Sequence, residues 1–258
     1  MTQQILRLGL AGRAVCLHSS LRSFREPVPP SELIDAFLDA GCTLLVPTFT
    51  AGFAAPPPAG HQPLPGNSEA DGSIPDRPPL RGYTPESTDI DSGMGAVPAT
   101  VLRDPACRRG NHPLSSFTAL GPAAWRFVAA QSPRDVFAPL RQVAANHGVV
   151  LLIGVDLSAA TLIHLAEEDA GLRLLTRWAR DARGGLVEVR HGGCSRGFER
   201  LAPALAEIER RADVLGSRWR ALPAAPMLEA ATRVLAVNPA AARCADIDCL
   251  RCRDQART

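Results

Sequence analysis

The stretch that decides the fold is Val149–Val155 (VVLLIGV), the longest apolar run of the chain. It is far too short to cross a bilayer, because a membrane-spanning helix needs about 20 apolar residues. Two shorter runs of the same kind are Ala14–His18 (AVCLH) and Thr43–Thr48 (TLLVPT). Short apolar runs of this length are typical of strands that are buried on both faces of a sheet.

Helical patterns lie between these strands and after them. Ser31 is predicted to cap a helix that runs to Ala40, with Gly41 just past its end. Further helices are predicted over Ala96–Arg103, Ala123–Ala130, Ala159–Ala170, Phe198–Leu215 and Met227–Leu235. Because strands alternate with helices, we predict an α/β fold: a single large domain over residues 1–258 with a mostly parallel or mixed central sheet covered by helices.

One segment, residues 51–83, breaks this alternation. It is crowded with proline and glycine, including Pro56–Pro58, and such a composition cannot form a helix or a central strand. It could be a linker between two domains or a long surface loop within one domain. The sequence before it is too short for an independent domain, which favours the loop.

Composition excludes several classes of function. The net charge is +2 and the arginines are scattered, which argues against nucleic acid as a partner. The start of the chain lacks the charged and apolar regions of a signal peptide, and no run is long enough for a membrane span. We therefore expect a cytoplasmic protein without a membrane partner. Its oligomeric state, monomer or homodimer, stays open.

Five stretches of the chain, in this order, resemble the aminoglycoside 3-N-acetyltransferase family. They are LHSSLRS at Leu17–Ser23, TLLVPTFT at Thr43–Thr50, GMGAVP at Gly93–Pro98, NHPLSSFTALGP at Asn111–Pro122 and LLIGVDLSAATLIHLAE at Leu151–Glu167. Together they extend over about two thirds of the chain. The resemblance implies the family's α/β fold and an enzyme that moves an acetyl or other short acyl group from coenzyme A to an amine of a small molecule, such as an aminoglycoside.

The resemblance also implies a catalytic residue, His164. Attack on a thioester needs a neutral amine, and amines are mostly protonated near pH 7, so a histidine base is useful. Glu167 and Glu199 are candidates for the acid that supports it. Taken without the family, a histidine in an apolar helical pattern is more often a buried structural residue, and His164 with Glu167 would need further ligands to hold a metal.

For the co-substrate acetyl-CoA, the resemblance implies contacts at the turns that follow the strands. Small hydroxyl residues and free N–H groups at such turns suit phosphates and amides. The implied contacts are Ser19, Ser20, Leu21, Arg22, Thr48, His112 and Ser116. Two structural interpretations stand beside this one: Ser19–Arg22 could form an ordinary helix cap, and His112 could hold its own loop by hydrogen bonding.

The chain departs from the family in two places that concern coenzyme binding. A G-x-x-S-P loop that relatives carry after the element at Asp135–Ala138 is missing, and Ala99 replaces a glutamate. Arg134 and Arg141 could supply charge in place of the loop. An alternative function follows from these departures: a catalytically silent family member that binds a metabolite or a protein partner.

A cysteine-containing tail, residues 240–258, ends the chain. Cys244, Cys249 and Cys252 have the spacing C-x4-C-x2-C, and Cys194 precedes them in GGCSRGF. Four thiolates can hold a structural zinc ion with no open coordination position. The alternative is that they are unused thiols in a flexible tail.

Overall fold

The structure is a computed structural model that describes residues 1–58 and 81–255. Most of the predicted proline- and glycine-rich loop, residues 59–80, lies outside the described residues. The helices are α1 Thr2–Arg7, α2 Pro30–Asp39, α3 Ala96–Arg103, α4 Ala124–Val128, α5 Ala138–Ala145, α6 Leu162–Asp169, α7 Ala202–Leu205, α8 Ala224–Val237 and α9 Leu250–Gln255. The strands are β1 Ala14–Ser19, β2 Thr43–Pro47, β3 Arg108–Arg109, β4 Phe117–Leu120, β5 Val149–Ile153, β6 Leu175–Arg180, β7 Leu186–His191, β8 Arg210–Val214 and β9 Ser217–Pro223.

The main sheet has seven strands in the order β3-β4-β2-β1-β5-β9-β8. Strand β1 pairs in parallel with β2 on one side and β5 on the other. Strands β3, β4, β8 and β9 join by antiparallel pairing, so the sheet is mixed. The predicted α/β fold is confirmed, and the three apolar runs form the parallel centre of the sheet.

Helices cover both faces of this sheet, which explains why its central strands are apolar throughout. Side chains alternate along β5: Val150 and Leu152 pack with helices α4, α5, α6 and α8, whereas Leu151 packs with α1, α2 and α3. Strands β6 and β7 form a separate two-stranded hairpin. Phe53 and Tyr83, at the two ends of the predicted loop, pack against this hairpin in a small apolar cluster.

The prediction of one helix over Phe198–Leu215 was wrong. A short 3-10 turn at Phe198–Leu201 leads into α7, and the chain then forms the hairpin β8–β9. The hairpin turns at Leu215 and Gly216, which both have positive φ angles, 54° and 83°. The apolar spacing of the segment is helical only in its first part, and pairing of β9 with β5 decides the rest.

The boundaries of α2 also differ from the prediction. The helix begins at Pro30, its N-cap is Pro29 and no side chain caps it, so Ser31 lies inside the first turn. Proline suits this position because its missing N–H would have no helical partner there. The predicted end is confirmed, since Gly41 follows with a φ of +74°.

Among residues 1–58 and 81–255, no helix is both long enough and apolar enough to pass through a membrane.

A buried arginine, Arg109, ties the segment after the loop to the sheet. Its guanidinium donates to the carbonyl oxygens of Thr48 at 2.7 Å and Asp89 at 2.8 Å, and also to the carbonyl of Ser87. It lies 5.3 Å from the centre of the Tyr83 ring. Desolvation by burial lowers the pKa of Arg109, so these acceptors are what make the buried charge tolerable.

We predict that Arg109→Met lowers the free energy of unfolding by at least about 2 kcal/mol, because the carbonyl groups of Thr48, Ser87 and Asp89 each lose a charge-assisted hydrogen bond. Arg108→Met is the matched control, since Arg108 is exposed and its replacement should change stability by less than about 0.5 kcal/mol. Urea unfolding followed by circular dichroism measures both. Equal effects of the two substitutions would contradict this account.

Candidate active site

A cleft of about 390 Å³ lies at the carboxyl ends of the three parallel strands. His18 and Ser19 end β1, Pro47 ends β2, and Val155 follows β5. Ligands of open α/β sheets bind at this edge, because the connections that leave the strands diverge there. Another part of the wall comes from α6, from the end of the hairpin β6–β7 and from α9, through residues that include His164, His191, Gly192, Gly193 and Arg251.

His164 and Glu167 form a hydrogen-bonded pair on α6. They are three residues apart, so they face the same side of the helix. The Nδ1 of His164 lies 2.7 Å from Oε2 of Glu167, and both residues are buried. An ionised carboxylate only accepts hydrogen bonds, so Nδ1 carries the proton and Nε2 keeps its lone pair. The pair therefore fixes the tautomer that can act as a base.

Aromatic rings and a glycine hold the imidazole of His164 in place. The Phe137 ring lies almost parallel to it, with ring centres 6.1 Å apart, and the Phe198 ring meets it edge-on at 4.7 Å. On another side the backbone of Gly192 approaches closely: a Cβ at that position would lie 2.8 Å from Cδ2 of His164. Only glycine leaves enough room there.

Two further histidines line the cleft, and sequence analysis assigned neither of them a role. Burial lowers the pKa of His18 to about 4 and that of His191 to about 3. Both imidazoles are therefore neutral near pH 7. The Nδ1–H of His191 donates to the carbonyl oxygen of Gly192 at 2.6 Å, which joins the end of β7 to the glycine beside His164.

The predicted coenzyme turn follows β1 directly. Ser19 lines the cleft, whereas the amide of Ser20 donates to the carbonyl oxygen of Ile153 at 2.9 Å. Leu21 and Arg22 belong to a 3-10 turn at Leu21–Ser23, and Arg22 is exposed. Ser20 occupies the N-cap position of this turn, as in the helix-cap interpretation, but its side chain makes no capping hydrogen bond.

Thr48 and Ser116 are fully buried and hydrogen-bond to protein groups. Thr48 Oγ1 lies 2.8 Å from Thr118 Oγ1. Ser116 Oγ accepts from Arg109 Nε at 2.8 Å and donates to the carbonyl oxygen of Thr48 at 3.1 Å. These two side chains thus help to hold the carboxyl end of β2 beside the cleft.

His112 is buried and holds its own loop. Its Nδ1 accepts from the amides of Leu114 at 3.2 Å and Ser115 at 2.8 Å, so its Nε2–H donates to the carbonyl oxygen of Arg190 at 2.9 Å. Burial lowers its pKa to about 4, which keeps the ring neutral. The imidazole therefore links this loop to Arg190 of β7, the residue before His191.

The other predicted polar groups have partners away from His164. Glu199 accepts from the amide of Leu157 at 2.8 Å and pairs with Arg220 at 3.0 Å, so Glu167 is the acid that contacts the histidine. Arg141 pairs with Glu168 at 2.7 Å, and Arg134 is exposed.

The four cysteines that sequence analysis grouped come together. The sulfur atoms of Cys194, Cys244, Cys249 and Cys252 all lie within 4.8 Å of one another. Cys244 and Cys252 are 3.6 Å apart, and all four thiols are free. One member of this cluster, Cys194, lies two residues after Gly192, whose backbone approaches His164.

Parts of the site were missed because their sequence signals were weak. His18 lies within the quoted LHSSLRS stretch, at the end of a predicted strand. That position, at the carboxyl end of a strand, was the one indication that its side chain could reach the cleft. Gly192 and Gly193 follow strand β7 directly, and glycines in such a position can mark close backbone approach. The sequence contains no comparable signal for Arg251.

Comparisons with known proteins agree with this geometry. A family model described as aminoglycoside 3-N-acetyltransferase matches residues 16–236. Aminoglycoside N(3)-acetyltransferase IV from Salmonella sp is 30% identical over 172 residues, which are 64% of this chain and 56% of the relative. The chain thus spans little more than half the length of that relative.

Solved structures share the fold. A mutant of aminoglycoside acetyltransferase AAC(3)-IVa in complex with a gentamicin superposes with a TM-score of 0.76 at 25% identity, covering 98% of this chain and 94% of the other. AAC-IIIb in a binary complex with CoASH gives a TM-score of 0.72 at 20% identity, covering 91% and 94%. Since the family model covers most of the chain and includes the strands and the helix that build the cleft, this protein belongs to the aminoglycoside 3-N-acetyltransferase family.

Proposed function

We propose that this protein transfers an acetyl group from acetyl-coenzyme A to an amine of a small molecule, with His164 as the general base. The observation that carries the proposal is the His164–Glu167 pair in a cleft at the carboxyl edge of the sheet, within a chain of this family. A relative named for acetylation of aminoglycosides and a neighbour bound to a gentamicin support an aminoglycoside as the first acceptor to test.

The chemistry proceeds by direct attack. His164 Nε2 takes a proton from the acceptor ammonium or amine, and the amine nitrogen attacks the carbonyl carbon of the thioester. A C–N bond forms, the C–S bond breaks, and the coenzyme leaves as a thiolate that accepts a proton. The carboxylate of Glu167 stabilises the imidazolium that forms during the transfer, because it accepts from Nδ1–H in both states of the ring.

There is room for both substrates. A wider cleft of about 1210 Å³ adjoins the first one and shares Val155, Ser158 and Ala159 with it. The wider cleft carries the carboxylates of Asp156, Glu199 and Asp213, together with arginines that pair with some of them. Carboxylates are the groups that a polycationic amine would contact. For the coenzyme we propose Ser19, Ser20, Leu21 and Arg22 at the turn after β1, with Thr48, His112 and Ser116 in supporting positions behind it.

We predict that His164→Ala lowers kcat for acetylation of gentamicin at least about 100-fold, the usual share of a general base. Glu167→Gln should lower it less, because the imidazole stays while its carboxylate is lost. Product should be measured by mass spectrometry, since the 7 cysteines of the chain would react with a thiol reagent.

His147→Asn is the matched control for this experiment. His147 is exposed and has a φ of 54°, a conformation that asparagine tolerates, so full activity is expected. Unchanged kcat in His164→Ala would overturn the proposed role of His164. Binding of acetyl-CoA without turnover of gentamicin or of other amines would support the alternative, a silent member that binds a metabolite.

We also infer that Cys194, Cys244, Cys249 and Cys252 hold a structural zinc ion. With Zn–S bonds of about 2.3 Å, a tetrahedral site places its sulfur atoms about 3.8 Å apart. The 3.6 Å between Cys244 and Cys252 fits that geometry, and all four sulfur atoms lie close enough to share one ion. Four thiolates leave no open position, so the ion would stabilise the tail and take no part in chemistry.

We predict that protein purified without added metal contains about one equivalent of zinc, and that Cys249→Ala lowers this content to near zero. Elemental analysis of the gel-filtered protein measures both. Cys107→Ala is the control, because Cys107 lies outside the cluster and its loss should leave the zinc content unchanged. Wild-type protein with far less than one equivalent would refute the zinc site.

A further inference from the structure

One short segment, Gly192–Gly197, lies between the catalytic histidine and the C-terminal tail. On one side, a Cβ at Gly192 would lie 2.8 Å from Cδ2 of His164. At the next residue, a Cβ on Gly193 would lie 2.5 Å from Oε1 of Gln255, at the end of α9. We call residues 192–197 the joining segment, because Gly192 lies against His164 and Gly193 lies against the tail.

Further contacts fix the joining segment to the tail. A Cβ at Gly197 would lie 2.3 Å from the carbonyl oxygens of both Ala242 and Arg243. Arg196 pairs with Asp246 at 3.0 Å. Between these contacts lies Cys194, whose thiol belongs to the cysteine cluster. The tail therefore contacts the joining segment at several positions from Gly193 to Gly197.

The tail itself reaches the cleft through Arg251. This arginine lines the same cleft as His164 and His191. It lies between Cys249 and Cys252, which are both buried. Helix α9 has only six residues and is not stable alone, so the position of Arg251 depends on how the tail packs, and the two buried cysteines are part of that packing.

The cysteine cluster also borders the other member of the catalytic pair. A second cavity of about 420 Å³ is lined by Glu167 together with Cys194, Cys252 and Gln255. Glu167 thus has His164 on one side and the cysteine-bound tail on the other. A displaced tail would expose this buried carboxylate to water and weaken its hold on the imidazole.

We propose that the zinc-bound tail is a working part of the acyl-transfer site: it positions His164 through Gly192 and Glu167, and it places Arg251 in the cleft to bind an anionic group of the coenzyme. This inference rests on the proposed function. Arg251 contacts substrate in this account, whereas the cysteines and Gly192 are positioning residues. Phosphate is the anionic chemistry that coenzyme A offers, and a guanidinium binds it with two hydrogen bonds.

The first test compares two arginines of the same helix. Arg251→Met should raise KM for acetyl-CoA and the Kd for coenzyme A about tenfold, the effect of one lost charge-assisted hydrogen bond, with kcat within twofold. Arg253→Met is the matched control, since Arg253 is exposed and should leave both constants unchanged. Equal Kd values for wild type and Arg251→Met would overturn the role of Arg251.

The second test removes the metal and restores it. Zinc-free protein, prepared by chelation under reducing conditions, should show a higher KM for acetyl-CoA and a kcat at least tenfold lower, and one equivalent of zinc should restore both. Far-ultraviolet circular dichroism confirms that the sheet stays folded.

A pair of variants keeps the test decisive. Cys249→His retains a metal ligand and should keep most of the activity, whereas Cys249→Ala should behave like the zinc-free protein. Substitution by cobalt gives a visible spectrum that reports tetrahedral thiolate ligation without any need for activity. Folded zinc-free protein with unchanged kcat and KM would overturn the coupling, even if zinc binds. If no form acetylates an amine, the proposed function fails, and the coenzyme Kd with and without zinc still decides this inference.

Discussion

The parallel pairing of β1 with β2 and β5 is the constraint on which the rest of the molecule depends. It places the carboxyl ends of three buried strands at one edge, so the residues that follow them must share the same space. Ser19 and Val155 meet there for this reason, and α6 brings His164 to the same place. The strands β4 and β9 widen the sheet by antiparallel pairing, and their addition leaves that edge open.

Burial at this edge does two different things to polar groups. At His18, His112 and His191 it lowers the pKa, so these rings stay neutral and act as fixed hydrogen-bonding or packing groups. His164 is buried too, but Glu167 lies 2.7 Å from its Nδ1. The carboxylate accepts a hydrogen bond from Nδ1–H and so orients the ring of His164.

Neither the tail nor the hairpin β6–β7 contains one of the apolar runs that mark the central strands. Both nevertheless contribute residues to the cleft. The hairpin ends at His191, and the joining segment continues from it to the cysteine cluster. Glycines make this possible, because backbone can lie against the imidazole of His164 where any side chain would collide. The proposed zinc site would then stabilise a part of the structure that is too small to have a core of its own.

The sequence by itself determined the centre of the sheet, most helices of both layers and the family, since apolar periodicity and local motifs record these features within a few residues. It also singled out His164 as the candidate base. It also grouped the four cysteines: Cys244, Cys249 and Cys252 are closely spaced in the tail, and the structure brings the distant Cys194 to them. Only the tertiary structure decided that Glu167, and not Glu199, contacts His164. It also decided that Arg210–Val214 is a strand and that Gly192 and Arg251 line the cleft. The enclosure of Thr48 and Ser116 around Arg109 is likewise a tertiary feature. Each of these depends on contacts between residues far apart in the chain, and strand pairing and close backbone approach leave little trace in the local pattern of residues.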